Sequence, residues 1–505
     1  MSLLGLDVGT TGCKAIVVNV EGKLLGESYR EYPLYHPGPG LSELDPREVW
    51  ENVQTVIAEA AHQAGDADPV KAIGISCQGE AGVPLDENGE ILYNSPVSFD
   101  ARTVPQTEWW RREMGAKRIF QITGQPLHPM HTISKIMWLY ENVPGLRERM
   151  KHFRCFEDFV MEQLGAEPAM SYALAARTMC FDIINKCWSE EICSKAGVDP
   201  AVFSPPLPSG EVVGEVSPKM AERLGLRPGV KVATGAHDQP AGAFGAGVIH
   251  PNIAVDGTGT VECITPAFSE PVLTDDMLEN SFCCYPHAAR DLYVTLAFNF
   301  TGGALLRWFR DTFGQPEVEE AKRTGRDPYE LLIANASPDP VDVYVLPHFT
   351  STGTPYFDSH SKGVIMGLTL STTRGEIIKA CLDGVTFEMR MNLELLEKAG
   401  VHIEELRAIG GGARSAFWLQ LKADIFGKPI ISLDVTEAPC LGAAMLAGRA
   451  IGEYSSDEEA VAAAIHERER YEPDEKRHEI YTEKFQIYKE IYPTVVELSH
   501  RIPTH

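Results

Sequence analysis

Two short Gly/Thr turns in opposite halves of the chain constrain its fold more than any other feature. One is Asp7-Val8-Gly9-Thr10-Thr11-Gly12, the other Asp256-Gly257-Thr258-Gly259-Thr260. Apolar runs flank both, so each reads as strand, tight polar turn, strand. Glycine lets backbone N–H groups converge on an anion, and threonine hydroxyls add donors, so each turn suits phosphate oxygens. Two such turns imply two similar α/β domains gripping one polyphosphate. A chain of 505 residues exceeds one hydrophobic core and fits two large domains. The boundary is expected near Gly247, giving domains 1–247 and 248–505.

The formal net charge of -26 disfavours nucleic acid or an anionic membrane as partner. It leaves ATP open, because a few local donors and Mg²⁺ decide that. Eleven scattered cysteines without zinc-like spacing suit a reducing cytosol. The N-terminus runs almost directly into a strand, so no signal peptide is expected, and no apolar run is long enough to cross a bilayer.

A strand meander is expected over Leu4–Asp7, Cys13–Asn19 and Lys23–Tyr32, then a helix from Asp45 to about His62. Val70–Ser76 reads as a buried strand, and residues 104 to 207 as mostly helical. Lys231–Thr234 delivers the segment Gly235-Ala236-His237-Asp238-Gln239. In the second half, strands are expected near Phe282–Tyr285, Leu292–Leu296 and Arg407–Ile409. Helices are expected from Gly302-Gly303, from Thr373 (with Glu376 as capping box) to Lys398, and from Ser415 to Phe426. Tyr481, Phe485, Tyr488 and Tyr492 stripe a last helix, a packing pattern.

Asp7 ends a strand at the first turn. A carboxylate beside phosphates is repelled unless Mg²⁺ intervenes, so Asp7 reads as metal-associated, the alternative being a cap on its own turn. The turn is not a Walker A loop, since Gly-Lys-Ser/Thr is missing. Asp238 is the candidate for chemistry: a positioned base for an acceptor hydroxyl, or an N-cap ahead of Pro240. His237 reads as packed or hydrogen-bonded. Gly410-Gly411-Gly412 before a helix lets a flat adenosine lie on backbone, and Gly302-Gly303 is a further backbone approach to phosphate. Gln78, Glu80, Asp100 and Arg102 cluster at strand exits of the first half, as a polyhydroxylated ligand requires. An Asp100–Arg102 structural pair is the alternative there. His128 and His131 have a metal-like spacing but lack a ligand cluster.

Together these stretches resemble the FGGY family of carbohydrate kinases within the actin-like ATPase superfamily. The resemblance runs from Leu4–Thr11 through Thr123-Gly124 to Lys135, Gly235–Gly247 and Gly363–Leu368, and on to Gly410–Pro429 and Leu441–Ala444. It implies two ribonuclease-H-like domains with mixed five-stranded sheets, flanking helices and a cleft between them. It implies ATP-dependent phosphorylation of a small sugar or polyol. Asp238 would be the general base, and Asp7 with Asp238 would organise Mg²⁺. Gly9, Thr10, Thr11, Gly257, Thr258, Gly259, Gly302, Gly303, Gly411 and Gly412 would hold nucleotide. Gln78, Glu80, Asp100, Asp238 and Gln239 would hold the acceptor. Gly79-Glu80 replaces the Met-His of xylulokinases and the Arg-Glu of glycerol kinases, whereas Leu127-His128-Pro129 and Ala176–Met179 are similar to the xylulokinase and gluconokinase branch. A ketopentose such as xylulose is the leading acceptor, with glycerol, erythritol and gluconate as alternatives. A homodimer is a family-level expectation. A non-kinase, chaperone-like ATPase is the rival reading.

Overall fold

Alternating buried residues dictate the first sheet. β1 (Ser2–Val8), β2 (Gly12–Asn19) and β3 (Leu24–Glu31) form the expected antiparallel meander, with Leu3, Leu4, Leu6 and Val8 of β1 fully buried. The computed structural model describes residues 1–65 and 67–503. Asp45 caps α1 (Pro46–Ala64) by accepting from Arg47 N, and Val49, Val53, Val56 and Ile57 form the buried face. β4 (Val70–Cys77) lies parallel to β1; beyond it come β6 (Lys231–His237) and, at the edge, β5 (Val212–Glu215). The order is β5-β6-β4-β1-β2-β3.

Parallel pairing fixes the functional edge. Asp7 stands opposite Ser76 on β4, and Ala236 on β6 is opposite the same Ser76. Three strands therefore end at one level, delivering Asp7, Gln78 and Asp238 to the same sheet edge, where open α/β sheets hold ligands. Asp238 is the first residue of α2 (Asp238–Gly245), and His237, not Asp238, occupies the cap position.

The second half repeats the plan. β7 (Ile253–Thr258) pairs antiparallel with β8 (Glu262–Phe268) and parallel with β12 (Glu405–Gly410), which continues to β13 (Ile430–Leu433) and β14 (Glu467–Tyr471). β9 (Tyr285–Pro286), β10 (Tyr293–Val294) and β11 (Ala297–Asn299) complete it. The sheets hold six and eight strands, where five each were expected. The five-stranded core β3-β2-β1-β4-β6 is present in the first; β5 adds an antiparallel edge. In the second, the strand expected near Leu292–Leu296 is present as the two-residue β10, and β11 is a further strand beyond it. β10 pairs with Ala267 and Phe268, whereas β11 pairs with Glu262 to Ile264, at opposite ends of β8.

The helices of the second half include α3 (Gly303–Phe313), α4 (Arg374–Ala399), α5 (Ala416–Phe426) and α6 (Ala438–Ala450). The expected capping box of Thr373 and Glu376 starts α4, and Gly400 ends it. α6 packs on β1, β4 and β6 of the first sheet and crosses α2. The crossing demands glycine: a Cβ on Gly442 would lie 2.0 Å from Ala241 O, and one on Gly245 2.0 Å from Ala438 O. Two helices from opposite halves thus cross backbone to backbone. The boundary drawn at Gly247 falls in the turn that follows α2. In α7 (Glu475–His500), Tyr481, Phe485 and Tyr488 are buried against Phe387. Among the described residues, no helix is long and apolar enough to cross a membrane.

Candidate functional site

The first turn is braced from β4. Gly9 N donates to Gly12 O at 2.9 Å, Gln78 Nε2 donates to Gly9 O at 3.0 Å, and Thr10 Oγ1 donates to Gln78 Oε1 at 2.8 Å. Gln78 therefore spends its amide on the turn. Ser76 Oγ donates to Asp7 Oδ1 at 2.8 Å. Burial raises the Asp7 carboxyl above its ordinary range despite that hydrogen bond. Thr11 is exposed at the tip.

Asp238 stands at the same edge. Burial, then the charges of Asp7 and Glu80, push its carboxyl up to about 7. Its Oδ1 is buried without a hydrogen-bond partner. Two mutually repelling carboxylates, one with an orphaned oxygen, suit a divalent cation that takes its other ligands from phosphate and water. Gln239 follows on the first turn of α2, half-buried.

Glu80 is buried in the left-handed region at φ 64°. Arg177 Nε donates to Glu80 Oε1 at 2.6 Å, and Nη2 pairs with the same carboxylate. Arg177 Nη1 donates to Gln125 Oε1 at 2.9 Å. Thr132 Oγ1 and Lys135 Nζ donate to Glu80 O at 3.0 and 3.1 Å. Burial pushes Glu80 up, but Arg177, His237 and Lys135 outweigh it and hold the carboxyl below its usual range. Asp100 is differently engaged. It accepts from Arg102 N, Nε and Nη2 at 3.0, 2.6 and 2.8 Å and from Ser42 N at 2.5 Å, and Arg102 also pairs with Glu43. The structure thus forms the Asp100–Arg102 pair that stood as the alternative reading. His131 Nε2 lies 2.9 Å from Pro126 O, a backbone contact.

The second turn and the two glycine segments meet. Gly303 N donates to Gly259 O at 2.9 Å, and Gly302 N to Thr260 O at 3.1 Å. Gly259, Thr260 and Gly303, with Thr258, Gly411, Gly412, Tyr329 and Phe417, line a cavity of about 790 Å³, whereas Gly302 packs against the Val261 backbone outside that lining. The cavity has the size of a small-molecule site. A Cβ on Gly259 or on Gly411 would meet nothing nearer than 3.9 Å, so both backbones face open space. That bare lining fits a nucleotide laid on peptide groups. Gly257 lies within β7, behind the cavity.

Several contributors escaped the sequence reading. Lys422 Nζ donates to Asp256 Oδ2 and Thr258 Oγ1, both at 2.6 Å, and lies 2.8 Å from Glu262. A faint signal existed: position 422 is four residues beyond Trp418 and three before Ile425, on a buried helix stripe. Arg177 was noted only as part of a familiar stretch. Tyr285 of β9 places its hydroxyl 3.1 Å from His237 Nδ1, a contact across the two halves that no local pattern encodes.

Residues 2–245 match the N-terminal domain, and residues 255–451 the C-terminal domain, of the FGGY family of carbohydrate kinases. The chain is 29% identical over 501 residues to the xylulose kinase of Bacillus subtilis (strain 168), covering 98% of each. It is 32% identical over 469 residues to the glycerol kinase of Symbiobacterium thermophilum, covering 90% of this chain and 91% of that protein. The crystal structure of xylulose kinase from Rhodospirillum rubrum superposes with a TM-score of 0.89 at 25% identity, covering 99% of this chain and 100% of that one. With family models on both halves and a two-domain fold to match, the chain belongs to the FGGY family of carbohydrate kinases, ATP-dependent phosphotransferases with an alcohol group as acceptor.

Proposed function

We propose that this kinase phosphorylates a small neutral sugar, a ketopentose such as xylulose first, with Asp238 as general base. The observation that carries the reading is the Asp238 carboxylate with its unpartnered Oδ1, set between Asp7 and the Glu80–Arg177 pair. Asp238 takes the proton from a substrate hydroxyl; that oxygen bonds to the γ-phosphorus as the bond to ADP breaks. Glu80 and Arg177 orient the sugar hydroxyls, with Gln239 beside them. Asp7 and Asp238 would hold Mg²⁺, which would supply positive charge beside the transferring phosphoryl group. Gly259, Gly303, Gly411 and Gly412 seat the nucleotide, with Thr10 of the first turn toward its phosphates.

A polyol such as glycerol or erythritol is the second reading, favoured by Glu80 and the glycerol kinase relative. Gluconate ranks lower, because a sugar acid needs a free cation and Arg177 is already neutralised by Glu80. A cytosolic setting and a homodimer belong to the same reading. A panel of xylulose, ribulose, erythritol, glycerol and gluconate, scored by sugar-dependent ADP release, tests it. Release without any acceptor dependence overturns it.

A further inference from the structure

His128 sits on the loop that wraps the Glu80–Arg177 pair. On that loop Gln125 Oε1 accepts from Arg177 Nη1 at 2.9 Å, Met130 Sδ accepts from Arg177 Nη2 at 3.4 Å, and His131 Nδ1 lies 3.3 Å from Arg177 O. The His128 ring meets Phe357 of the second half, with ring centres 5.3 Å apart. Met130 N donates to His128 Nδ1 at 3.2 Å, which fixes the tautomer: Nδ1 accepts and Nε2 carries the proton. Among the described residues no acceptor lies within hydrogen-bond distance of Nε2. Burial pushes the imidazole down to about 4, so the ring is neutral at physiological pH. It is a fixed, uncharged donor where the two halves meet. Phe357 is held there at φ 49°, a left-handed conformation that a bulky side chain rarely adopts. Its N donates to Gly353 O at 2.9 Å, and its ring packs edge-on to Phe298 with centres 5.3 Å apart. Backbone strain of this kind collects at ligand clamps. The charges of Glu80 and Arg177 bear on both His128 and Asp238, so the ion pair is the common neighbour of imidazole and base.

We infer that His128 and Phe357 form the end of the acceptor site remote from Asp238: the His128 Nε2–H donates to an oxygen at the far end of the sugar, and the Phe357 ring closes over its carbon chain. An aromatic wall with one placed donor is the usual lining of a small-molecule site. This deepens the reading of Asp238 and Glu80 as the acceptor site and rests on it. It narrows the acceptor to an uncharged polyhydroxylated chain whose length Phe357 limits.

His128→Asn keeps an acceptor for Met130 N in the place of Nδ1 and removes the donor. KM for the best neutral acceptor among xylulose, ribulose, erythritol and glycerol is expected to rise about five- to tenfold, the cost of one neutral hydrogen bond. KM for ATP and the melting temperature are expected to hold. His128→Gln returns an N–H to the place of Nε2, and KM should recover to within about threefold of wild type. Phe357→Ala should lower the preference for five- over six-carbon ketoses about fivefold. An unchanged acceptor KM in His128→Asn overturns the inference, as does an equal rise in KM for ATP. So does a loss that His128→Gln fails to recover, the mark of a structural role, or a chain-length preference that Phe357→Ala leaves intact. If the wild type shows no acceptor-dependent ADP release, the underlying kinase reading has failed; if it turns over and His128→Asn matches it, only the far-end role has failed.

Discussion

Lys422 anchors Asp256 beneath the second Gly/Thr turn, its Nζ 2.6 Å from Oδ2, with both side chains buried. The same ammonium donates to Thr258 Oγ1 and sits beside Glu262, so one cation ties the turn to helix α5. Burial, with Asp256 alongside, pushes Glu262 up. Lys422→Met strands an uncompensated buried carboxylate, which costs about 3–5 kcal/mol. Urea unfolding should register that loss, and KM for ATP should rise while KM for sugar holds. Wild-type stability in this variant would show that the cluster does not brace the turn.

Asp238→Asn keeps the shape of the side chain and removes its basicity. Loss of a general base lowers kcat by about 10²–10⁴-fold. Calorimetry should show sugar binding largely retained, separating chemistry from recognition. A variant turning over at the wild-type rate is the contrary result.

Glu80→Gln should raise KM for sugar and leave KM for ATP nearly unchanged, because Glu80 lies with Arg177 in the first half, away from the 790 Å³ cavity. It also leaves Arg177 short of its counter-charge, so a fall in melting temperature should accompany it. Equal shifts in both KM values would remove Glu80 from sugar recognition.

Gly411→Ala probes the nucleotide cavity. The added methyl meets no atom within 3.9 Å, so folding should be unaffected. Where adenosine lies against that backbone, the methyl intrudes and weakens ATP binding by about 1–3 kcal/mol, as overpacking does elsewhere. Unaltered ATP affinity would move the nucleotide off this segment.

Two buried carboxyls should withdraw stability as pH rises from about 4 to 8, against the opposite pull of buried neutral histidines such as His131 and His237, both pushed down to about 3. Burial pushes Glu157 up to about 8 and Asp158 up to about 7, from ordinary values of 4.5 and 3.8. The unfolded chain therefore sheds these protons first, and each raised carboxyl weakens the folded state progressively until pH passes its folded value. Glu157 matters to the site because it accepts from Gly235 N at 2.8 Å, on the strand that delivers Asp238. Melting temperatures across this range test the slope, and Asp158→Asn should flatten it. A wild-type pH profile that Asp158→Asn leaves unchanged would contradict the assignment.

The phosphate turns, the meander and the capped helices α1 and α4 were legible because each depends on neighbours in sequence. Glycine and threonine announce a turn, alternating apolar residues announce β1, and Thr373 with Glu376 announces a helix start. Sheet width was only partly legible: strands near β9 and β10 were expected, whereas β5 and β11 are short segments that local pattern does not mark. The roles of Asp100 and Gln78 read differently once their partners were known: Arg102 and Ser42 occupy the first, Thr10 and Gly9 the second.

Local backbone chemistry by itself determined that two halves of like design would each present a tight Gly/Thr turn between strands, with an acidic group beside the first, since φ/ψ preference and hydrogen-bonding capacity are properties of the residue and its neighbours. Tertiary structure alone decided that Lys422 would neutralise Asp256, that Arg177 would pair with Glu80, and that Tyr285 would reach His237. Charge compensation and steric room depend on distance in space, and chain folding sets that distance through pairings that span 48 to 166 residues.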